Sequence, residues 1–143
     1  MRTGGCLCGA VRFEAARLGD FGVCHCTQCQ RWAGGAFLGV NVPEDAMQLP
    51  ERAPVVTFRS SARASRSHCG TCGSPLWYRH DRGADGTGDY EVAIGLFDDG
   101  NGLELKSEIF IDRKPDSFAL AGDHARLTEA ETLARHGGDS EGA

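Results

Sequence analysis

Three cysteines and a histidine fall between residues 24 and 29, in the stretch CHCTQCQ. Cysteine thiolates are strong ligands of Zn²⁺. A structural zinc site uses four protein ligands, whereas a catalytic zinc site uses three and keeps one position open for water or substrate. The stretch therefore supplies either half of a closed site or the whole of an open one, and the choice decides which chemistry is available.

The other four cysteines form two pairs. Cys6 and Cys8 make a C-x-C motif, and Cys69 and Cys72 make a C-x2-C motif that is followed by Gly73. A glycine at that point favours a tight turn whose backbone N–H groups can point at thiolate sulfurs. Seven cysteines, an odd number in a chain where we recognise no export signal, indicate metal or redox chemistry rather than a disulfide framework.

Two groupings of the seven cysteines are compatible with this spacing. In the first, the C-x2-C motifs at residues 26–29 and 69–72 form one four-cysteine site, and three cysteines are left over. In the second, the C-x-C motif at residues 6–8 joins residues 69–72 in a closed site, and CHCTQCQ is an open three-cysteine site. The second grouping uses every cysteine. It also closes a long loop, which removes much conformational entropy from the unfolded chain.

The segments around the cysteines have the short apolar and β-branched runs, bounded by Gly, Asp and Pro, that are typical of strands. Two short helices are also predicted: one from Thr27 to Trp32, ended at Gly34-Gly35, and one from Thr128 to His136 that begins with a capping box. With 143 residues, the chain suits one domain. The predicted strands are Ala10–Ala15, Ala36–Val42, Val55–Arg59, Leu76–Arg79, Tyr90–Phe97 and Glu108–Asp112.

The net charge and the hydropathy of the chain limit the kinds of partner that we expect it to bind. The formal net charge of −5 argues against nonspecific binding to nucleic acid. Arg59, Arg63 and Arg66 fall together, and we interpret them as a solvated face of a strand or loop. No apolar run is long enough to span a bilayer, and the N-terminal MRTGGCLCG lacks the layout of a signal peptide. We expect a cytoplasmic protein with no nucleic-acid or membrane partner.

The order of the motifs resembles the glutathione-dependent formaldehyde-activating enzyme family, also called the centromere protein V family. The shared patterns are G-x-C-x-C-G at residues 4–9, C-H-C-x2-C-Q at residues 24–30 and C-G-x-C-G-S at residues 69–74. Residues 109–116 also resemble the closing strand and Lys-Pro turn of that family. The resemblance covers roughly residues 3–125.

This resemblance implies a mainly β fold, a zinc-pinned β-tent of small antiparallel sheets with short helices, over residues 3–125. A C-terminal helix at 126–136 and a disordered tail at 137–143 would follow. The resemblance also implies two zinc ions per chain. The structural zinc would be held by Cys6, Cys8, Cys69 and Cys72, and the catalytic zinc by Cys24, Cys26 and Cys29.

The implied activity is that of a carbon–sulfur lyase. The open zinc would bind glutathione or a similar low-molecular-weight thiol, and the thiol would form or cleave an S-hydroxymethyl-type adduct with formaldehyde or a related small aldehyde. We expect His25 to face away from the metal, and His124 and His136 to lie at the surface. The alternative is a noncatalytic zinc-binding module that binds a thiol or a protein partner. The candidate thiol contacts, chosen for their position beside the open site, are Gln28, Gln30 and Arg31.

Overall fold

The structure is a computed structural model and describes residues 1–81 and 88–135. The described part is mainly β, which confirms the predicted fold class, with two short α-helices, α1 (Thr27–Ala33) and α2 (Glu129–Arg135). Neither α-helix has the length or apolar content that crossing a bilayer requires. The strands are β1 (Arg2–Gly5), β2 (Arg12–Ala15), β3 (Phe21–Cys24), β4 (Phe37–Val42), β5 (Met47–Gln48), β6 (Val55–Ser61), β7 (Ala64–Cys69), β8 (Pro75–His80), β9 (Tyr90–Ala93), β10 (Leu105–Ile109) and β11 (Ala125–Arg126).

The strands form two sheets. The smaller has the order β1-β2-β5, and the larger has the order β11-β10-β3-β4-β9-β8-β7-β6. Most neighbours are antiparallel, but β10 runs parallel to both β3 and β11. The larger sheet is therefore mixed rather than purely antiparallel. Strand β10, from late in the chain, pairs with the outer edge of β3 in parallel.

The core lies between the smaller sheet and one face of the larger sheet. Phe13 of β2 meets Trp77 and Phe97 edge to face, with ring centroids 6.0 and 5.4 Å apart. Val40 and Val42 of β4 are fully buried in the same cluster. Since side chains alternate along a strand, Phe37, Gly39 and Asn41 face the opposite side of β4. That second face carries the candidate site.

Several predicted strands are confirmed within one or two residues, and two were placed wrongly at their ends. The strand predicted over Tyr90–Phe97 leaves the sheet after Ala93 and continues as a 3-10 turn at Ile94–Leu96. The last predicted strand, Glu108–Asp112, instead begins at Leu105 and ends at Ile109. Phe110 has a φ of 55° and turns the chain out of the sheet.

The described residues contain a helix near each predicted position, but α2 begins at Glu129 rather than at residue 126, which lies in strand β11. Gly34 ends α1 in a left-handed conformation with a φ of 80°. At the start of α2, the Thr128 N–H donates to Glu131 Oε1 and the Glu131 N–H donates to Thr128 Oγ1, at 2.9 and 3.2 Å. The capping box is therefore confirmed. His136 and the tail predicted at 137–143 lie outside the described residues.

Strand β7 was not predicted, because its sequence ASRSHC is polar. The strand nevertheless has buried positions, and one of them is Arg66, which is 3% exposed. The interpretation of Arg59, Arg63 and Arg66 as one solvated face is wrong for Arg66. A buried arginine cannot be distinguished from a surface arginine in the sequence, and Arg66 and Ser67 are both buried, so the strand has no apolar pattern to predict it.

Candidate metal centres and the adjoining cavity

Four cysteines from two separate segments of the chain meet in one cluster. Their sulfurs all lie within 4.8 Å of one another, and we call Cys6, Cys8, Cys69 and Cys72 the four-cysteine cluster. Cys6 and Cys8 lie between β1 and β2, Cys69 ends β7, and Cys72 precedes β8. The Cys6–Cys8 and Cys8–Cys69 sulfur distances are 3.6 and 3.9 Å. A tetrahedral zinc with Zn–S bonds of about 2.3 Å requires sulfurs about 3.8 Å apart, so the donor set fits such an ion.

Backbone N–H groups surround these sulfurs, as thiolate ligands require. The Val11 N–H is 3.3 Å from Cys6 Sγ, and the N–H groups of Thr71 and Cys72 are 3.3 and 3.4 Å from Cys69 Sγ. The Ser74 hydroxyl lies 3.2 Å from Cys72 Sγ and is the main reason that the pKa of Cys72 falls to about 5. The cluster is thus built to carry negative charge.

The other three cysteines form a second group, the three-cysteine cluster of Cys24, Cys26 and Cys29. Cys24 ends β3, Cys26 is the N-cap of α1, and Cys29 lies in the first turn of that helix. The Cys29 N–H donates to Cys26 Sγ at 3.3 Å, and the Cys26 N–H to Cys24 Sγ at 3.5 Å. In residues 1–81 and 88–135, no histidine, aspartate, glutamate or further cysteine joins them as a fourth ligand. The set suits an open metal site.

The three thiols share charge unequally when no metal is bound. Hydrogen bonds from Cys24 and Cys29 lower the pKa of Cys26 to about 3. The pKa of Cys24 is raised by its bonds to Cys26 and Cys29 and by burial. A bond to Cys24 lowers the pKa of Cys29, but its bond to Cys26 and burial outweigh that effect and raise it to about 11. The metal-free cluster therefore holds one thiolate and two protonated thiols at neutral pH.

His25 points away from this cluster, as expected, into a buried network. Its Nε2 is 2.7 Å from Glu108 Oε1, and His124 Nε2 is 2.5 Å from Glu108 Oε2. The side chains of all three residues are 0–2% exposed, so placing His124 at the surface was wrong. Burial raises the pKa of Glu108, but the hydrogen bonds from His124 and His25 outweigh it and lower the pKa. Glu108 is therefore ionised, and it holds His25, the residue between Cys24 and Cys26, in place.

Arg66 reaches the three-cysteine cluster from β7. Its Nη1 donates to Cys29 Sγ at 3.4 Å. Its guanidinium carbon is 5.1 Å from the centroid of the Trp32 ring and 4.9 Å from that of the Tyr78 ring. Sequence reasoning missed both Arg66 and Glu108 as site residues, because their partners are far away along the chain.

A cavity of about 730 Å³ opens beside the three-cysteine cluster. Cys24 and Cys29 form part of its wall, whereas no member of the four-cysteine cluster does. Phe37 is paired in register with Cys24 across β3 and β4, and Asn41 lies four residues further along β4. Strand rise therefore places Asn41 roughly 13 Å from the cysteine end. Other polar residues on the wall are Asp20, His80, Glu91, Lys106 and Ser107.

The three candidate thiol contacts lie elsewhere. Gln28 and Arg31 are exposed on α1, and neither they nor Gln30 line the cavity. The Gln30 side-chain amide donates to the carbonyl oxygens of His25 and Arg113, at 2.7 and 2.9 Å. Gln30 thus holds the backbone next to the cluster, and a contact between these three residues and a thiol stays a prediction.

Comparison with known proteins places the chain among proteins of one family. The family profile described as glutathione-dependent formaldehyde-activating enzyme matches residues 1–113. The chain is 26% identical over 131 residues to an uncharacterised lyase of Schizosaccharomyces pombe, covering 91% of this chain and 93% of that protein. It is 32% identical over 83 residues to a putative glutathione-dependent formaldehyde-activating enzyme of Halomonas elongata, covering 52% and 53% of the two chains.

The fold also occurs among solved structures. A crystal structure of a Rhodobacter sphaeroides protein superposes with a TM-score of 0.53 at 17% sequence identity. The match covers 87% of this chain and 98% of that one. At this identity the likeness concerns the fold alone.

Proposed function

The chain belongs to the glutathione-dependent formaldehyde-activating enzyme family, and we propose that it is a zinc-dependent carbon–sulfur lyase. It joins glutathione, or a similar low-molecular-weight thiol, to formaldehyde or a related small aldehyde, and it cleaves the adduct in the reverse direction. The observation that carries the proposal is the cavity, whose wall includes Cys24 and Cys29 but no cysteine of the four-cysteine cluster.

The two clusters take different roles in this proposal. The four-cysteine cluster holds a structural zinc, since its four sulfurs complete a tetrahedral set. The three-cysteine cluster holds the second zinc, since its three thiolates leave one position for a ligand from the cavity. A zinc ion bound there would supply an open coordination position at which a thiol ionises far below its usual pKa near 8.5.

The reaction balances without an oxidant or reductant. The thiol loses its proton to water, and the thiolate sulfur attacks the carbonyl carbon of the aldehyde. A carbon–sulfur bond forms as the carbonyl π electrons move to oxygen, which takes a proton from water. The product is the S-hydroxymethyl-type adduct, and the reverse steps are the lyase reaction. Because thiols add readily to formaldehyde, the cavity needs to supply mainly positioning.

The polar end of the cavity suits the body of a peptide thiol. Lys106 can pair with a carboxylate, and Glu91, which accepts a hydrogen bond from Asn41 Nδ2 at 3.0 Å, can meet an ammonium group. Glu91, which pairs in register with Asn41, lies about 13 Å from the cysteine end. Lys106, three positions before the partner of Cys24, lies about 10 Å from it. Both distances are within the reach of an extended tripeptide at about 3.3–3.6 Å per residue and its side chain. They support glutathione contacts better than the exposed Gln28 and Arg31 do.

Native mass spectrometry of the purified protein, with and without millimolar glutathione, tests this proposal. We expect two zinc ions and one added glutathione. Cys26→Ser is expected to remove one zinc together with the glutathione, and to keep the zinc of the four-cysteine cluster. The matched variant Cys72→Ser changes the same atom in that other cluster, and it is expected to lower thermal stability sharply.

Two results would contradict the proposal. Retention of glutathione by Cys26→Ser would show that the thiol binds away from the three-cysteine cluster. Wild-type protein that binds glutathione, but does not accelerate adduct exchange measured by NMR above the spontaneous rate, would favour the noncatalytic thiol-binding module.

A further inference from the structure

Arg66 is a buried cation without a carboxylate partner in the described residues. No Asp or Glu oxygen of residues 1–81 and 88–135 lies within salt-bridge distance of its guanidinium. Its Nε and Nη2 are buried with no hydrogen-bond partner there, and its Nη1 reaches only the sulfur of Cys29. Burying an unpaired charge is very costly, so a buried arginine is normally matched by an anion.

The three-cysteine cluster is the anion that this arginine contacts. Three thiolates and one divalent ion carry a net charge of −1, and the guanidinium brings the sum to zero. The aromatic rings of Trp32 and Tyr78 flank the guanidinium and hold it in place through cation–π contacts. The positive charge is therefore permanent, fixed in position and shielded from screening by water.

We propose that Arg66 is the positioning residue that makes the metal-loaded three-cysteine cluster electrically neutral, so that the cluster can accept a fourth, anionic ligand. Without this charge, an incoming thiolate would bind to a centre that is already negative. The aromatic enclosure serves the same end, because it keeps the cation beside Cys29 and out of the cavity, where it would otherwise pair with the ligand itself.

This inference rests on the proposed function only in placing a divalent metal at the three-cysteine cluster. It does not require glutathione or an aldehyde. It concerns the charge of the fourth ligand, and it is therefore tested with simple probes: thiocyanate as an anion, imidazole as a neutral ligand and 2-mercaptoethanol as a thiol.

The experiment uses full-length protein with cobalt(II) in the three-cysteine cluster, whose absorption bands report ligand binding. Arg66→Met removes the charge and keeps an apolar stem between the two rings. The attraction between the guanidinium and an anionic fourth ligand about 6 Å away, at an effective dielectric constant near 20, corresponds to about a hundredfold in the affinity for that ligand. We therefore expect thiocyanate and 2-mercaptoethanol to bind at least tenfold more weakly, and imidazole to bind as in wild type. The sulfur-to-cobalt charge-transfer band should move to lower energy, since Cys29 loses a hydrogen bond.

Two further variants make the result decisive. Arg66→Lys keeps a cation in the enclosure and is expected to retain thiocyanate affinity within about threefold. Arg52→Met removes an exposed charge and is expected to change no probe's affinity. If Arg66→Met fails to fold, as judged by loss of the metal in the four-cysteine cluster, Arg66→Lys still decides. A folded Lys variant that loses thiocyanate binding tenfold would overturn the inference.

The remaining outcomes separate the two proposals. Equal loss of imidazole and thiocyanate in Arg66→Met, or unchanged binding of both, would overturn the role of Arg66 and leave the proposed function standing. Thiocyanate binding that depends on Arg66, in a wild-type protein that binds no thiol, would support the role of Arg66 and count against the proposed function.

Discussion

The buried carboxylate of Glu108 should stabilise the region around the three-cysteine cluster strongly, and Glu108→Gln measures by how much. The carboxylate, whose side chain is 1% exposed, accepts from His25 Nε2 at 2.7 Å and from His124 Nε2 at 2.5 Å, and the half-exposed Arg126 has its Nε 3.2 Å from Oε2. A glutamine keeps one acceptor oxygen but turns an N–H₂ group toward the second histidine. One charge-assisted bond is lost and the other becomes neutral. Each such bond contributes about 1.5–3 kcal/mol, so we expect a loss of about 3 kcal/mol in the free energy of unfolding.

Urea denaturation measures the loss in the free energy of unfolding of each variant. All variants are compared in the same excess of zinc, so that the contribution of metal binding to stability is the same for each. The matched control is Glu104→Gln, just before β10. The side chain of Glu104 is 77% exposed and pairs with Lys106 at the surface. Losing an exposed pair of this kind should cost less than about 0.5 kcal/mol. A loss below about 1 kcal/mol for Glu108→Gln, less than one charge-assisted bond contributes, or a loss equal to that of Glu104→Gln, would refute the reasoning.

The pH dependence of the same difference has a definite sign. Because the pKa of Glu108 is lower in the folded protein, the stabilisation is complete above the ordinary carboxyl pKa of 4.5 and is lost as the pH falls below it. The gap between wild type and Glu108→Gln should therefore narrow on acidification. A gap that widens below pH 4.5 would mean that the carboxyl is buried in its neutral form.

Two further predictions concern the three-cysteine cluster and its helix. Metal binding at pH 7 should release two protons, from Cys24 and Cys29, since Cys26 with its pKa of about 3 is already ionised. Calorimetry in buffers of different ionisation enthalpy counts these protons, and a count of three would contradict the charge pattern. Gly34 has a φ of 80°, which a residue with a Cβ adopts only with strain. Gly34→Ala should therefore cost about 1 kcal/mol in the free energy of unfolding. Gly35→Ala, which has equal space and no positive φ, should cost almost nothing in the same urea titration, and equal losses would contradict this account.

The three cysteine motifs were accessible to sequence reasoning, because the cysteines come in short motifs whose spacing is fixed by tight turns. The fold class was also accessible, since runs such as residues 37–42 are too apolar and too rich in β-branched residues to be loops. Composition cannot decide which cysteines meet, and spacing left two groupings open. The structure brings together the members of the second one.

What the sequence could not indicate are the contacts made by polar residues inside the protein. Arg66 lies 37 positions from Cys29, and Glu108 lies 83 positions from His25. In both cases, a charged residue within a polar or mixed strand has the pattern of a surface position. The parallel pairing of β3 with β10 is a second such feature, because nothing near Cys24 indicates that Ile109 will lie beside it.

The distance along the chain between His25 and its carboxylate partner also sets an order of events during synthesis. The two residues are 83 positions apart. At a translation rate of roughly 5 to 20 per second, the chain between them takes about 4–17 s to make. During that interval the ribosome has already produced the three thiols at residues 24–29, but not strand β10, which covers the edge of β3. The last cysteine of the four-cysteine cluster, Cys72, is synthesised 36 positions before residue 108. All seven cysteines are therefore synthesised before the strand that covers β3, and until then the three sulfurs of residues 24–29 lie beside an uncovered strand edge.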